Sequence, residues 1–120
     1  MAVPAVNITI EQGTDYTQDF IVKNSDQSVL NLTGYTSLAK IRKFSDATIY
    51  SSFNVGITSS LGKITISMAN TVTSSLDAGR QYYDIVIVST ATSAITKVFT
   101  GMALVNASVT VWHHLHPVLQ

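Results

Sequence analysis

The chain has no cysteine, only two prolines and few charged residues, and these shortages exclude several kinds of protein. Without cysteine there is no disulfide, no thiolate metal site and no cysteine nucleophile. Charged residues make up 12% of the 120 residues, about half the usual share. Seven basic residues balance seven acidic ones, which argues against nucleic acid as a partner, since proteins that bind it carry a basic excess. No stretch approaches the roughly 20 apolar residues of a membrane span.

Hydrophobic residues, in contrast, are plentiful at 46% of the chain, and serine and threonine supply most of the polar surface. This length and composition predict one folded domain with a substantial core. The first residues, MAVPAVNITI, lack a basic region and a long apolar run. We therefore expect them to begin the first strand of a mature protein rather than to form a targeting signal.

Apolar and polar residues alternate along most of the chain, which indicates half-buried β-strands. In GKITISM, the apolar positions are Ile64, Ile66 and Met68. IYSSFNVGI, residues 49–57, alternates in the same way and predicts one strand with Phe53 on its buried face. The intervening TSSLG predicts a hairpin connection. The whole pattern predicts seven to nine strands and an all-β fold, an immunoglobulin-like or fibronectin-like β-sandwich over residues 1–111.

Two late segments, YYDIVIV and ITKVFTGMALV, are apolar on both faces. Such segments are typical of central strands or of strands that a partner covers.

One segment, MANTVTSSLDAG, breaks the alternation and predicts a short helical turn near residues 69–77, with Asn70 as its cap. Leu76, Gly79 and Tyr82 follow at intervals of three. In immunoglobulin-like sandwiches this spacing places a leucine in the core, a glycine in a turn and a tyrosine whose hydroxyl bonds to nearby backbone. We assign Tyr82 to that role, with Tyr83 as the alternative. All three positions are structural and imply no chemistry.

Two clusters have residue types that bind metals. His114 and His116 would share one side of a strand, as in a His-x-His metal pair, although they also fit an apolar tail that contacts a neighbour. Glu11, Asp15 and Asp19 lack the spacing of a calcium loop and indicate a turn and a polar strand face instead. No metal site, cofactor or catalytic residue is therefore predicted, and we expect a protein that is not an enzyme.

The only basic cluster, KIRK at residues 40–43, places Lys40 and Arg42 on one strand face. It fits a solvated sheet face that discourages edge pairing, or alternatively a surface for an acidic partner.

Several segments resemble small β-sandwich virion proteins of tailed bacteriophages, including the immunoglobulin-like domain at the start of baseplate upper proteins. They are ITIEQGTDYTQDF with NLTGYTSLAKIRK, then GKITISM, LDAGRQYYDIVI and TKVFTGMALVNASVTV. The resemblance implies a first hairpin rich in glycine, threonine and aspartate. It also implies a non-enzymatic structural component of the virion, assembled in the host cytoplasm and present in several copies. An adaptor of the tail or baseplate is the first expectation, and a capsid decoration protein is the second.

The ends of the chain are the predicted contacts with other virion subunits. We expect residues 112–120 to form a tail that docks on a neighbouring subunit. The predicted interface residues are Val3, Pro4, Val6, Trp112, His114, Leu115, Val118 and Leu119. A module that binds carbohydrate or a cell surface is the alternative from another class, and it would use Tyr35, Tyr50 and Trp112 as exposed aromatic side chains.

Overall fold

The chain forms two β-sheets packed face to face in a computed structural model that describes residues 4–24, 26–43 and 50–107. This part of the chain has eight strands: β1 (Ile8–Glu11), β2 (Tyr16–Ile21), β3 (Tyr35–Arg42), β4 (Ser51–Ser52), β5 (Asn54–Thr58), β6 (Lys63–Met68), β7 (Gly79–Ser89) and β8 (Ile95–Asn106). A 3-10 turn at Ser59–Leu61 joins β5 to β6, and a single helical turn, α1 (Asn70–Thr73), lies between β6 and β7.

The strand order is β1-β8-β7-β3-β4 in the larger sheet and β2-β6-β5 in the smaller. All pairs are antiparallel except β1 and β8, which run parallel. This arrangement is that of an immunoglobulin-like sandwich: strands from the start, the middle and the end of the chain share one sheet, and the remaining strands form the facing sheet. The predicted all-β sandwich is confirmed, and the predicted hairpin before residue 64 is the β5–β6 pair.

The core lies between the inner faces of the two sheets. It is filled by large aliphatic residues and by three rings in contact, Phe20 with Phe99 at 4.9 Å between centroids and Phe20 with Tyr83 at 6.3 Å. The fully buried aliphatic side chains are Ile10, Leu32, Ile41, Ile64, Ile66, Ile85 and Val105. Ile10, Ile41, Ile64 and Ile66 come from the buried side of alternating strands, whereas Ile85 and Val105 come from segments that are apolar on both faces and Leu32 lies in the loop before β3.

Two local predictions are wrong. Residues 49–57 do not form one strand, because β4 pairs with β3 in the larger sheet while β5 pairs with β6 in the smaller. The chain crosses between the sheets at Phe53, which is buried and donates its N–H to the Ala39 carbonyl at 2.9 Å. The first two strands do not form a hairpin either, because β1 pairs with β8 and β2 with β6.

The helical turn α1 is fixed to the loop between β1 and β2. The Thr73 side chain is fully buried, and its hydroxyl donates to the Thr14 carbonyl at 2.8 Å and accepts from the Gly13 N–H at 3.1 Å. Asn70 is the first residue of the turn rather than its cap. The Asp15 carboxylate accepts the Asn70 backbone N–H at 2.9 Å and so performs the capping from another loop.

The segment before β1 lies along β8. The Val6 N–H donates to the Thr100 carbonyl at 2.9 Å, and the Thr100 N–H donates to the Pro4 carbonyl at 3.1 Å. The Tyr83 hydroxyl donates to the Val6 carbonyl from within the core. Gly101 lies beneath this segment, and a Cβ there would lie 2.8 Å from the Val6 carbonyl carbon. The segment therefore reaches the core only because residue 101 has no side chain.

The Leu76, Gly79 and Tyr82 positions differ in their surroundings. Leu76 is buried, and Gly79 has a φ of +112°, which side chains other than hydrogen disfavour. Tyr82 does not occupy the buried tyrosine position, because its side chain is 39% exposed on the opposite side of β7. Tyr83 is the buried tyrosine, and it bonds to Val6 rather than to backbone just before it in sequence.

Tyr16 and Tyr83 each place a phenol group in the core, but their hydroxyl groups differ in hydrogen bonding. The Tyr16 hydroxyl is buried and, among the described residues, has no hydrogen-bond partner. Burial raises the pKa of the Tyr16 hydroxyl to about 12, and burial together with the nearby Tyr16 phenol raises the pKa of the Tyr83 hydroxyl to about 12. Both groups are therefore neutral in the folded protein at physiological pH.

Substituting each tyrosine by phenylalanine measures what each hydroxyl group contributes to stability. Tyr83→Phe is expected to lower the free energy of unfolding by about 1–2 kcal/mol, because the Val6 carbonyl loses its donor. Tyr16→Phe is expected to change it by less than about 0.5 kcal/mol or to stabilise the protein, because the lost hydroxyl has no partner. Urea denaturation at pH 7 measures both, and equal losses would contradict this assignment.

Candidate functional site

The outer surface of the larger sheet, here called the outer face, carries most of the exposed apolar side chains. Eight large hydrophobic side chains are exposed in the described residues, and five of these lie on the outer face. They are Leu38, Tyr50, Tyr82, Ile95 and Leu104. Ile95 is 68% exposed and Leu38 is 52% exposed, so these aliphatic groups meet water directly. Large contiguous apolar patches are a feature of interaction sites in other proteins.

Strand pairing brings apolar residues together at one end of the outer face. Leu38 pairs with Val86, and the next pair along the sheet joins Val88 to Ile95. Side chains directly opposite on neighbouring strands are in contact distance. These four residues therefore form one continuous apolar area, here called the apolar end.

The middle of the outer face is charged and aromatic. The Lys97 ammonium lies 3.5 Å from the Asp84 carboxylate. The Lys40 ammonium lies 4.2 Å from the centroid of the Tyr50 ring, and the Arg42 guanidinium lies 5.2 Å from it. A shallow cleft of about 260 Å³ opens between these groups. Exposed ion pairs of this kind contribute about 0–1 kcal/mol, so they orient a contact more than they strengthen it.

The outer surface of the smaller sheet, here called the polar face, has a different character. Its cross-strand rows consist mainly of hydroxyl, amide and charged groups. The rows are Thr17–Ser67–Asn54, Asp19–Thr65–Gly56 and Ile21–Lys63–Thr58. The Thr65 hydroxyl donates to the Asp19 carboxylate at 2.7 Å. Only Ile21 is a large exposed apolar residue there, so the two sides of the sandwich differ clearly in polarity.

The predicted interface residues are only partly within the described part of the chain. Val3, Trp112, His114, Leu115, Val118 and Leu119 lie outside it, as does His116. Pro4 is exposed, and Val6 packs against the core of its own domain. The N-terminal contact predicted for Val6 is therefore made, within the described residues, to the same chain.

The acidic residues of the first loop are not brought together. Asp15 bonds to Asn70, Asp19 to Thr65, and the Glu11 carboxylate accepts the Asn106 side-chain amide at 2.7 Å. Each carboxylate thus faces a different strand or turn. No group of three histidine, cysteine or acidic residues placed to hold a metal occurs in residues 4–24, 26–43 and 50–107.

Two of the three aromatic side chains suggested for carbohydrate binding, Tyr35 and Tyr50, do not form a platform, and Trp112 lies outside the described residues. Tyr35 is half-buried and packs against the core, whereas Tyr50 has two cations over its ring. A sugar-binding platform requires free ring faces, so these two residues do not supply one together. In the part of the chain that the structure describes, no helix is long and apolar enough to cross a membrane.

Reasoning from the sequence did not select the outer-face residues Leu38, Ile95 and Leu104. The signal was present, however, because β7 and β8 are the two segments that are apolar on both faces. One apolar side of each strand faces the core, and the other side forms the outer face.

No protein-family model matches the chain, and no curated protein matches it in sequence. Among solved structures, the chain is similar to the NK cell receptor Nkp44, described as a triggering partner in natural cytotoxicity. The TM-score is 0.50 at 11% sequence identity, and the match covers 88% of this chain and 100% of that chain. At this identity the likeness concerns the fold alone, and it agrees with the immunoglobulin-like strand order.

Proposed function

We propose that this protein is a non-enzymatic assembly module whose outer face contacts other protein subunits. The observation that carries the proposal is the difference between the two sides of the sandwich: exposed aliphatic groups on the outer face and hydroxyl groups on the polar face. Exposed aliphatic area gains free energy when it leaves water. A protein that presents most of its exposed large apolar side chains on one side is suited to binding through that side.

The size of the outer face is close to what a stable contact needs. The five strands together contain 37 residues, which at about 3.3 Å per residue and about 4.8 Å between strands span an area of roughly 600 Å² before side-chain relief is added. Standard interfaces bury about 800 Å² on each partner. In such a contact, the apolar end provides the area from which water is excluded. The charged groups in the middle of the face fix the orientation of the partner.

The resemblance to phage sandwich proteins gives this module its biological setting. We propose a structural component of a tailed-phage particle, present in several copies, with the tail or baseplate as the preferred position. Capsid decoration is the second candidate. Detection of the chain in many copies by mass spectrometry of gradient-purified particles would support this setting, and its absence from complete particles would contradict it.

Self-association is the property to test first. The solution mass of the full chain, measured by light scattering, is expected to rise above the monomer mass as concentration increases from micromolar to hundreds of micromolar. The reason is that the outer face has an exposed apolar end and the chain has no net charge to oppose association. A monomer at every concentration would contradict self-assembly. Glycan binding by that monomer would favour the carbohydrate-binding alternative.

A further inference from the structure

We propose that residues 108–120 of one copy cover the outer face of a neighbouring copy. This inference rests on the proposed function, since it names what the assembly surface binds. The described part of the chain ends at Ala107, directly after β8, one of the strands that build the outer face. Leu104, three residues earlier, is an exposed apolar side chain at that end of the outer face.

The composition of residues 108–120 is complementary to the outer face. The segment SVTVWHHLHPVLQ has no acidic residue, lysine or arginine. Its large apolar residues, Trp112, Leu115, Val118 and Leu119, match the aliphatic groups of the apolar end. The tryptophan ring also suits the charged middle, because Lys40 and Arg42 already lie over an aromatic ring there.

Pro117 favours binding on a face over binding at an edge. Proline has no backbone N–H, so it interrupts the hydrogen bonds by which a segment would add to a sheet as a new strand. The nearby residues Leu115, Val118 and Leu119 are apolar and would contact a surface through their side chains. The outer face offers such a surface, with Leu38 and Ile95 as the most exposed groups.

Length argues for a neighbouring copy rather than the same one. Thirteen extended residues span at most about 43–47 Å. To reach Ile95 on its own face, the segment would have to reverse at residue 107 and return along all of β8, about 36 Å at 3.3 Å per residue. The reversal itself uses residues, so the remainder is barely long enough. A neighbour placed beyond Ala107 meets no such limit, and head-to-tail contacts of this type join many copies.

Trp112 provides a direct test, because it is the only tryptophan in the chain. In the full protein at concentrations where light scattering detects an oligomer, Trp112 is expected to emit at shorter wavelength than free tryptophan and to resist acrylamide quenching. Dilution to the monomer is expected to remove both effects. Trp112→Ala is expected to weaken association about 30-fold, as for a buried aromatic anchor.

Variants on the sandwich identify the surface that Trp112 meets. The double variant Leu38→Lys with Ile95→Lys should shift the Trp112 emission to longer wavelength and remove its protection. The matched control Thr17→Lys, on the polar face, should change neither. Both variants replace exposed side chains, and thermal unfolding of each verifies that the fold is kept.

Three results would overturn the inference. Equal quenching of Trp112 in oligomer and monomer would leave the assembly proposal standing but would show that another surface covers the outer face. Protection of Trp112 in the monomer would place the segment on its own copy. The absence of any oligomer would contradict both this inference and the self-assembly on which it rests.

Discussion

Gly101→Ala is expected to lower the free energy of unfolding by about 2–3 kcal/mol, although alanine is the smallest possible change. The added Cβ would lie 2.8 Å from the Val6 carbonyl carbon and closer still to its oxygen, so the segment containing Val6 must move. This movement breaks the bond from Tyr83 and the two bonds between this segment and Thr100. Three hydrogen bonds at about 1 kcal/mol each set the scale.

Gly56→Ala is the matched control for this substitution. Gly56 also lies in a strand, but no atom lies within 4 Å of the position of its Cβ. It is expected to be neutral or to stabilise the protein by about 0.4–1 kcal/mol through the unfolded state. Because Gly101→Ala and Tyr83→Phe break the same bond, their combined effect should be less than the sum. Additive effects, or equal effects of the two alanines, would contradict this account of the N-terminal segment.

Leu38→Lys combined with Ile95→Lys is expected to weaken self-association at least about 100-fold, which corresponds to about 2.7 kcal/mol. An ammonium group buried in a contact without a partner costs several kcal/mol. The fold should not suffer, because both side chains are exposed in the single chain. Exposed substitutions of this kind usually change stability by less than about 0.5 kcal/mol.

Thr17→Lys adds one positive charge on the polar face, against two in the double variant, and is expected to leave association unchanged. Sedimentation velocity over a concentration series measures all three proteins, with chemical denaturation to verify their stability. Loss of association in the control as well would point to net charge rather than to the outer face. Unchanged association of the double variant would exclude the outer face as the contact surface.

The alternating segments predicted the core well because burial is a local property of a strand. Ile64, Ile66 and Met68 are all buried, as the alternation of GKITISM requires. Alternation cannot reveal which sheet a strand joins, since both sheets face the same core. The segment at Phe53 therefore keeps its pattern while it passes from the larger sheet to the smaller.

The tyrosine assignment failed for a related reason. Tyr83 has the same parity as Ile85 and Ile87, and all three point into the core. Asp84 lies on the same side as Tyr82 and is charged, but Val86 on that side is apolar, so alternation alone did not separate Tyr82 from Tyr83. The same ambiguity concealed the outer face, because an apolar position predicts burial and does not state whether the core or a partner provides it.

The absence of cysteine permits the most direct test of the outer face as a contact surface. A single cysteine placed at Leu38 or at Thr17 would be the only thiol in the protein, and its rate of reaction with a maleimide reports its access to solvent. We predict that Leu38→Cys reacts more slowly as protein concentration rises, whereas Thr17→Cys reacts at a constant rate. Equal and constant rates at both positions, in samples where light scattering shows an oligomer, would contradict the proposal that subunits meet at the outer face.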